Sequence, residues 1–360
     1  GPPTWLVGGF YLHNKGDIEE RLNIPGAGAL LAPFGFPSDD LFLANTNLKT
    51  NEKALFGEVS YALSDRLTAT MGLRAFWNEI RIGLVSDGIL GGGPLATARR
   101  QTENAITPKF ALRYQVNPDV MLYGQAAKGY RIGQLNLGPA IDPISSLAIP
   151  TSYGPDSLWN YELGFKSTFW DRRISLNIAA YYIDWRDIQL QDQSATGFQF
   201  IDNAGRARSR GLEIESRIAP LGGLQFGASL SIAGTKMTAV DPGFDARVGD
   251  RLPAAPNFTI ADFAEYRFGV GDGAHAYIRA DHQYIGKAFS NLDNPTSPSF
   301  GDFHVINARL GLDLESFELV GFVNNLANSD GKQSAVVLPG GPSAVRLRPR
   351  TYGLTVRASY

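Results

Sequence analysis

The chain has 360 residues, a formal net charge of -2 and no cysteine. A chain of this length folds as roughly two or three soluble domains or as one large β-barrel. The near-neutral charge leaves no electrostatic footprint for nucleic acid. The missing cysteines exclude a disulfide framework and any thiolate metal site. His13, His275, His282 and His304 are scattered and form no ligand motif, so no metal or other cofactor is expected. A membrane-spanning helix needs about 20 mostly apolar residues, and the best run, Ile178 to Ile183, is far shorter. The opening Gly1-Pro2-Pro3-Thr4 lacks the charged and apolar regions of a signal peptide. Either a signal has been removed or the chain begins part-way through a longer protein.

Taken in order, the chain is a series of segments with period-2 alternation. Trp5–Leu12 is the first strand, followed by a long connection over residues 14–50. Leu67–Trp77 sets Leu67, Ala69, Met71, Leu73, Ala75 and Trp77 against Thr68, Thr70, Gly72 and Arg74. Ile106–Val116 sets Ile106, Phe110, Leu112, Tyr114 and Val116 against Thr107, Lys109, Ala111, Arg113 and Gln115. Trp159–Phe169 sets Trp159, Tyr161, Leu163, Phe165 and Phe169 against Asn160, Glu162, Lys166 and Thr168. Ile174–Tyr182 sets Ile174, Leu176, Ile178 and Tyr182 against Ser175, Asn177 and Tyr181. The last segment, Thr351–Tyr360, sets Tyr352, Leu354, Val356, Ala358 and Tyr360 against Thr351, Gly353, Thr355, Arg357 and Ser359.

The pattern predicts about 14 strands of roughly ten or more residues, where globular strands average about 5–6. That length suits a tilted strand crossing a bilayer. Short turns at Ser64-Asp65, Asn117–Asp119, Asp171-Arg172, Pro220–Gly222, Gly269–Gly273 and Glu315-Ser316 alternate with long connections near 14–50, 86–98, 133–156, 192–203, 239–255, 287–299 and 330–344. An up-and-down outer-membrane barrel has this asymmetry, with periplasmic turns short and outer loops long. Trp77, Trp159, Phe169, Tyr182, Tyr352 and Tyr360 stand near strand ends on the apolar face, where barrels carry aromatic girdles. Ordinary core aromatics of a soluble β protein are the competing reading of those rings, and the end-to-end alternation weighs against it. Register follows from energy. Shifting Ile106–Val116 by one residue would turn Lys109 and Arg113 into lipid, at about 2–4 kcal/mol each near the midplane. The fold expected is all-β, an antiparallel up-and-down transmembrane barrel.

Several segments resemble the C-terminal barrel of TonB-dependent receptors. Asp119–Arg131 (DVMLYGQAAKGYR) is similar to that family's "lYg…Gyr" strand, and Tyr161–Lys166 (YELGFK) to its "yElGfK" strand. Asn177–Ile188 ends in the family's "fy.dw.di" pattern, and Asn203–Glu215 (NAGRARSRGLEIE) resembles "n.g.a.srGlEle". Asn324–Leu326 and Pro349–Leu354 resemble its last two strands, so the resemblance covers most of residues 55–360. It implies the outer membrane of a Gram-negative bacterium and a barrel of about 22 strands. It also implies partners: outer-membrane lipid, an N-terminal plug domain that engages TonB, and a scarce small solute such as a ferric siderophore. No plug is recognisable in residues 1–360, and Gly1–Leu12 looks like a mid-barrel strand. Trp5–Leu12 and Thr351–Tyr360 are therefore not expected to be a closing pair. A self-contained passive pore is the alternative, and an outer-membrane enzyme such as a lipase has no supporting motif.

The residues open to function follow from these faces. Arg74, Lys109, Arg113, Glu162, Lys166, Glu213, Glu215, Arg217, Arg309 and Arg357 are expected to face the lumen. Glu213 and Glu215 repeat about 7 Å apart on one strand face, a spacing that also suits paired carboxylates. Lumenal charges facing a plug are the plainer reading. Arg206, Arg208 and Arg210 form a possible anion clamp near the outer rim, where lipid headgroups are the competing partner. Loop aromatics are the other ligand candidates: Phe34, Phe36, Tyr153, Phe198, Phe200, Phe244 and Phe289. Exposed rings offer contact area at low entropy cost, although loop-to-loop packing would use the same residues.

Overall fold

The computed structural model describes residues 2–91, 93–136, 140–142, 145–194, 197, 199–271, 273–292, 297–314, 316–338 and 341–358. Phe198, Glu315 and Tyr360 lie outside the described residues. The chain runs β1 (Thr4–Asn23), α1 (Ala27–Leu31), β2 (Asp40–Ala62), β3 (Leu67–Asp87), β4 (Leu95–Asn117), β5 (Val120–Arg131), β6 (Gln134–Leu135) and β7 (Ser152–Tyr153). It continues through β8 (Asp156–Phe169), β9 (Ile174–Arg186), β10 (Gln189–Gln193), β11 (Gln199–Asn203), β12 (Gly205–Leu221), β13 (Leu224–Val240), β14 (Phe258–Gly271) and β15 (Ala274–Ile285). It ends with β16 (Ala288–Phe289), β17 (Ser299–Phe300), β18 (Phe303–Leu314), β19 (Phe317–Asn324), β20 (Lys332–Leu338), β21 (Gly341–Arg346) and β22 (Thr351–Ala358).

One 14-stranded antiparallel sheet contains β1-β2-β3-β4-β5-β8-β9-β12-β13-β14-β15-β18-β19-β22 in that order. The all-β, up-and-down architecture read from alternation is the one found. The pairs β6-β7, β10-β11, β16-β17 and β20-β21 are small ladders inside the long loops. Each of β1 and β22 is paired on one side only, and no ladder joins them among the described residues. In hydrocarbon an open edge leaves backbone N–H and C=O groups without partners.

Cross-strand partners share a face, so the register sorts the side chains. The row Arg113–Tyr123–Gly164–Ala179–Glu213 crosses β4, β5, β8, β9 and β12 on the polar face. Gly164 has a specific use here. A Cβ at that position would stand 2.1 Å from the Tyr123 ring, which lies across β8 to donate its hydroxyl to Glu162 at 2.7 Å. The opposite face exposes Ile106, Phe110, Leu112, Leu163, Leu310, Leu354 and Val356. A continuous apolar surface of this kind is a membrane-facing surface, since soluble monomers rarely expose patches beyond a few hundred Å². Ile174, Leu176 and Ile178 lie on it as well, half-buried against neighbours.

The membrane boundary can be read along β3. From Leu67 to Trp77 the outward residues are apolar, about ten steps that rise roughly 26 Å at a typical tilt. Beyond Trp77 the polarity inverts. Glu79 and Arg81 point outward and pair with each other and with Arg100, while Ile80, Ile82 and Leu84 are buried on the inner face. The first four strands thus continue well past the bilayer. This corrects the predicted loop limits. Residues 14–50 are not a single loop: β1 and β2 stay paired from Thr4↔Ser60 to Asn23↔Asp40, leaving only 24–39 unpaired to a barrel neighbour. Likewise 86–98 shrinks to 88–94, and 192–203 becomes the β10-β11 hairpin within a connection of 187–204. Lipid-type alternation ends where lipid ends, but the backbone ladder does not.

Among the described residues, two buried hydrophobic clusters sit at the long-loop end. Phe42, Ala44, Ile80, Ile82 and Leu84 enclose Leu135 of β6. Ile188, Ala204, Ala207, Met237, Leu252 and Leu292 form a second cluster. Both tie loops to strand ends.

A vestibule at the long-loop end

The loops after β5 and β9 are held by a polar hub. Asp156, at the start of β8, is 3% exposed. It accepts from the Arg131 guanidinium at the end of β5 and from the Gln189 backbone N–H. Gln189 Nε2 in turn donates to the Ile132 and Gly154 carbonyls, both at 2.9 Å. Asn203 Oδ1 accepts from Gly154 N–H at 2.6 Å, and its Nδ2 donates to the Asp187 carbonyl. Asn136 spans the two loops. Its Nδ2 donates to Pro150 and Ile201 carbonyls at 2.8 Å, and its Oδ1 accepts from Ile201 N–H at 2.9 Å. Arg99 and Gln101 of β4 donate to the Thr151 and Tyr153 carbonyls. Buried backbone groups of long loops need such partners, and here amide side chains supply them in place of a ladder.

A groove of about 550 Å³ lies between this hub and the inner face of β1 and β2. Glu20, Arg21, Leu22 and Phe42 form one wall, and Leu135, Asn136, Tyr153, Gln191, Gln199, Phe200 and Ile201 the other. Arg21 forks onto Asp40 at 2.7 and 2.9 Å. This hydrogen bonding, together with that from Asn23, holds the Asp40 carboxyl below its ordinary range. Burial raises the Tyr153 phenol. Burial also raises the Asp192 carboxyl in the hairpin, and Asp245 and Asp202 push it the same way.

The predicted aromatics separate in this geometry. Phe200 lines the groove and is half-buried. Tyr153 also lines it but is 8% exposed, so it is part of the hub and not a free ring. Phe34 is exposed beyond the β1-β2 connection, and Phe36 lines a separate groove there with Pro37 and Ile89. Phe244 packs on the Ile188–Met237 cluster. Phe289 carries Arg251 and Lys287 over its ring at 5.4 and 5.1 Å. Tyr153, Phe244 and Phe289 thus pack loop against loop because each loop is too short to build a core of its own. Arg206 and Arg208 are cross-strand partners of Arg186 and Asp184. That register turns them to the outer face with Trp159 and Tyr182, away from the groove. The hub residues Arg131, Asn136, Asp156, Gln189 and Asn203 were not singled out from sequence, although Arg131 and Asn203 sit inside the family-like segments.

Below the vestibule Arg74, Lys109, Arg113, Glu162, Lys166, Glu213, Glu215, Arg217, Arg309 and Arg357 share one face of the sheet by register, the face opposite the apolar one. Arg74 pairs with Glu52 and Lys109 with Glu58, both at 3.0 Å. Arg309 pairs with Asp281 and Arg357 with Glu318, both at 2.6 Å. Lys166 stands 5.8 Å over the Tyr123 ring, and Arg217 donates to Gln225. Arg113, Glu213 and Glu215 have no ion-pair partner among the described residues.

Comparison with known proteins agrees with this architecture. The family described as "TonB dependent receptor-like, beta-barrel" matches residues 6–326. The pesticin receptor of Yersinia enterocolitica is 23% identical over 99% of this chain and 49% of its own length. The metal-pseudopaline receptor CntO of Pseudomonas aeruginosa is 30% identical over 42% of this chain and 20% of its own. Among solved structures, the ferric yersiniabactin uptake receptor FyuA from Yersinia pestis superposes with a TM-score of 0.83 at 16% identity, covering 99% of this chain and 51% of that one. The chain spans about half the length of the pesticin receptor. The alternating faces, the aromatic girdles, the parity of turns and loops and the family match lead to one assignment: the chain belongs to the β-barrel family of TonB-dependent receptors and is an outer-membrane protein.

Proposed function

We propose that this barrel portion serves a receptor that takes up a scarce chelated metal, a ferric siderophore in the first instance, through the vestibule. The observation that carries the reading is a groove of about 550 Å³ held by a hydrogen-bonded hub above a charged lumen wall. That size suits a drug-sized ligand. Its amide lining, Gln191 and Gln199, offers donors and acceptors to an oxygen-rich chelate, and Phe200 offers a flat apolar contact. The unpaired Arg113, Glu213 and Glu215 would meet a plug domain, which in turn would engage TonB. The names of the relatives, with pesticin, metal-pseudopaline and ferric yersiniabactin as ligands, lend support by analogy. A self-contained passive pore would need β1 to pair with β22, and the sheet contains no such ladder among the described residues.

The test uses the full-length receptor and a panel of ferric hydroxamate, catecholate, phenolate and carboxylate chelates. One class is expected to quench intrinsic fluorescence saturably, and Gln199→Ala with Phe200→Ala is expected to weaken it about tenfold or more, as for a hot-spot pair. If no ferric chelate binds, or binding ignores both substitutions, the assignment of the groove fails.

A further inference from the structure

His282 and His304 are 22 positions apart in the chain, and the pairing of β15 with β18 brings them together. His282 Nε2 and His304 Nδ1 stand 2.9 Å apart, with the two rings inclined at 19°. Both project from the outward face, in the rows Asp262–His282–Ile306 and Ile260–Tyr284–His304. They lie at the loop-side ends of their strands, since β18 starts at Phe303 and β15 ends at Ile285.

The pair is oriented from both sides. Asp262 Oδ1 lies 2.7 Å from His282 Nδ1. A carboxylate only accepts, so in the neutral imidazole Nδ1 carries the proton and Nε2 presents its lone pair to His304. The His304 ring packs on Tyr284 at 4.5 Å, and the Tyr284 hydroxyl donates to Asp302 at 2.9 Å. A carboxylate behind a histidine whose far nitrogen is bare is the arrangement that fixes an imidazole for metal binding. His304 is exposed and the His282 side chain is 29% exposed, so the pair is reached from outside the sheet and not through the vestibule.

We propose that His282 Nε2 and His304 Nδ1 form a binding site for a divalent transition metal, Cu²⁺ in preference to Zn²⁺, with Asp262 as the positioning residue behind His282. Distance decides the metal. A metal about 2.0 Å from each of two nitrogens 2.9 Å apart sees them at about 90°, the cis angle of a tetragonal Cu²⁺ site. Tetrahedral Zn²⁺ needs the nitrogens about 3.3 Å apart, so one ring would have to shift. The general affinity order of divalent metals for nitrogen ligands also favours Cu²⁺. On binding, the His304 proton moves through solvent from Nδ1 to Nε2, a change of tautomer with no net proton release. No third histidine, aspartate or glutamate converges on the two nitrogens among the described residues, so water fills the remaining positions. The metal joins the loop-side ends of β15 and β18, with Asp262 of β14 behind them. It sits on the face opposite the lumen charges, and the proposal does not rest on the ligand of the vestibule.

The test is titration of the full-length receptor, carrying no polyhistidine tag, with Cu²⁺ in equilibrium dialysis and electron paramagnetic resonance. Wild type is expected to bind one Cu²⁺ more than His282→Gln/His304→Gln, and the difference spectrum should show two imidazole nitrogens. His304→Gln alone should leave one nitrogen. Asp262→Asn should keep both nitrogens but weaken binding about 10- to 100-fold, as for loss of an outer-shell partner; an aspartate that serves only to hold the strands together would leave copper affinity unchanged. His13→Gln and His275→Gln should bind as wild type does. Equal Cu²⁺ uptake by wild type and the double variant, or a difference spectrum with a single nitrogen, overturns the site. Displacement of the bound Cu²⁺ by equimolar Zn²⁺ overturns the choice of metal.

Discussion

Leu310→Arg is expected to cost about 2–4 kcal/mol of folding stability in a bilayer, the depth-dependent penalty for a cation on the lipid face. Leu310 is 59% exposed on the apolar surface of β18, in the row Ile278–Leu310–Gly321–Leu354. Its neighbour Arg309 points the other way, to Asp281. Arg309→Leu should cost less than about 1 kcal/mol, because part-exposed ion pairs contribute little and Arg279 still reaches Asp281. Reversible folding into lipid vesicles, followed by tryptophan fluorescence against urea, measures both. Comparable losses at the two adjacent positions would contradict the assignment of faces.

Asp156→Ala should loosen the vestibule by about 1–3 kcal/mol, the cost of leaving a buried donor without its acceptor. The buried carboxylate is the meeting point of the β5 end, the β8 start and the β10 hairpin. With it gone, Gln189 N–H loses its partner, and Arg131 keeps its bond to the Gln189 carbonyl and its place over the Trp185 ring. Amide hydrogen exchange in residues 132–136 and 187–204 should rise, while β14, β15 and β18 should be unchanged. Asp156→Asn keeps an acceptor and should exchange between wild type and alanine. Exchange that rises evenly through the whole sheet would mean that the hub is part of the barrel's global stability and not a local clasp.

The membrane-level fold was legible because lipid enforces the alternation: any slip puts Lys109 or Arg113 into hydrocarbon. Above the bilayer that constraint ends. Ile80, Ile82 and Leu84 turn inward against Phe42 and Leu135 while Glu79 and Arg81 face water, so the same strand carries the reverse pattern and reads as loop. The vestibule was less legible for a different reason. Its bonds join residues distant in sequence, Asp156 to Gln189 over 33 positions and Gly154 to Asn203 over 49. Nothing local marks an asparagine as a clasp. The arginines at 206, 208 and 210 were visible as a run, but only the pairing with Arg186, Asp184 and Tyr182 fixes the side they occupy.

Orientation in the membrane is the point on which vestibule and lumen both depend, and single cysteines test it directly because the chain has no other thiol. Phe34→Cys and Asn291→Cys lie in long connections, whereas Asp171→Cys and Ser316→Cys lie in short turns, all at exposed positions. A membrane-impermeant maleimide applied to intact cells should label positions 34 and 291, and should label 171 and 316 only after the outer membrane is opened. Labelling of 171 and 316 on intact cells with 34 and 291 protected, or equal labelling of all four, would contradict the account.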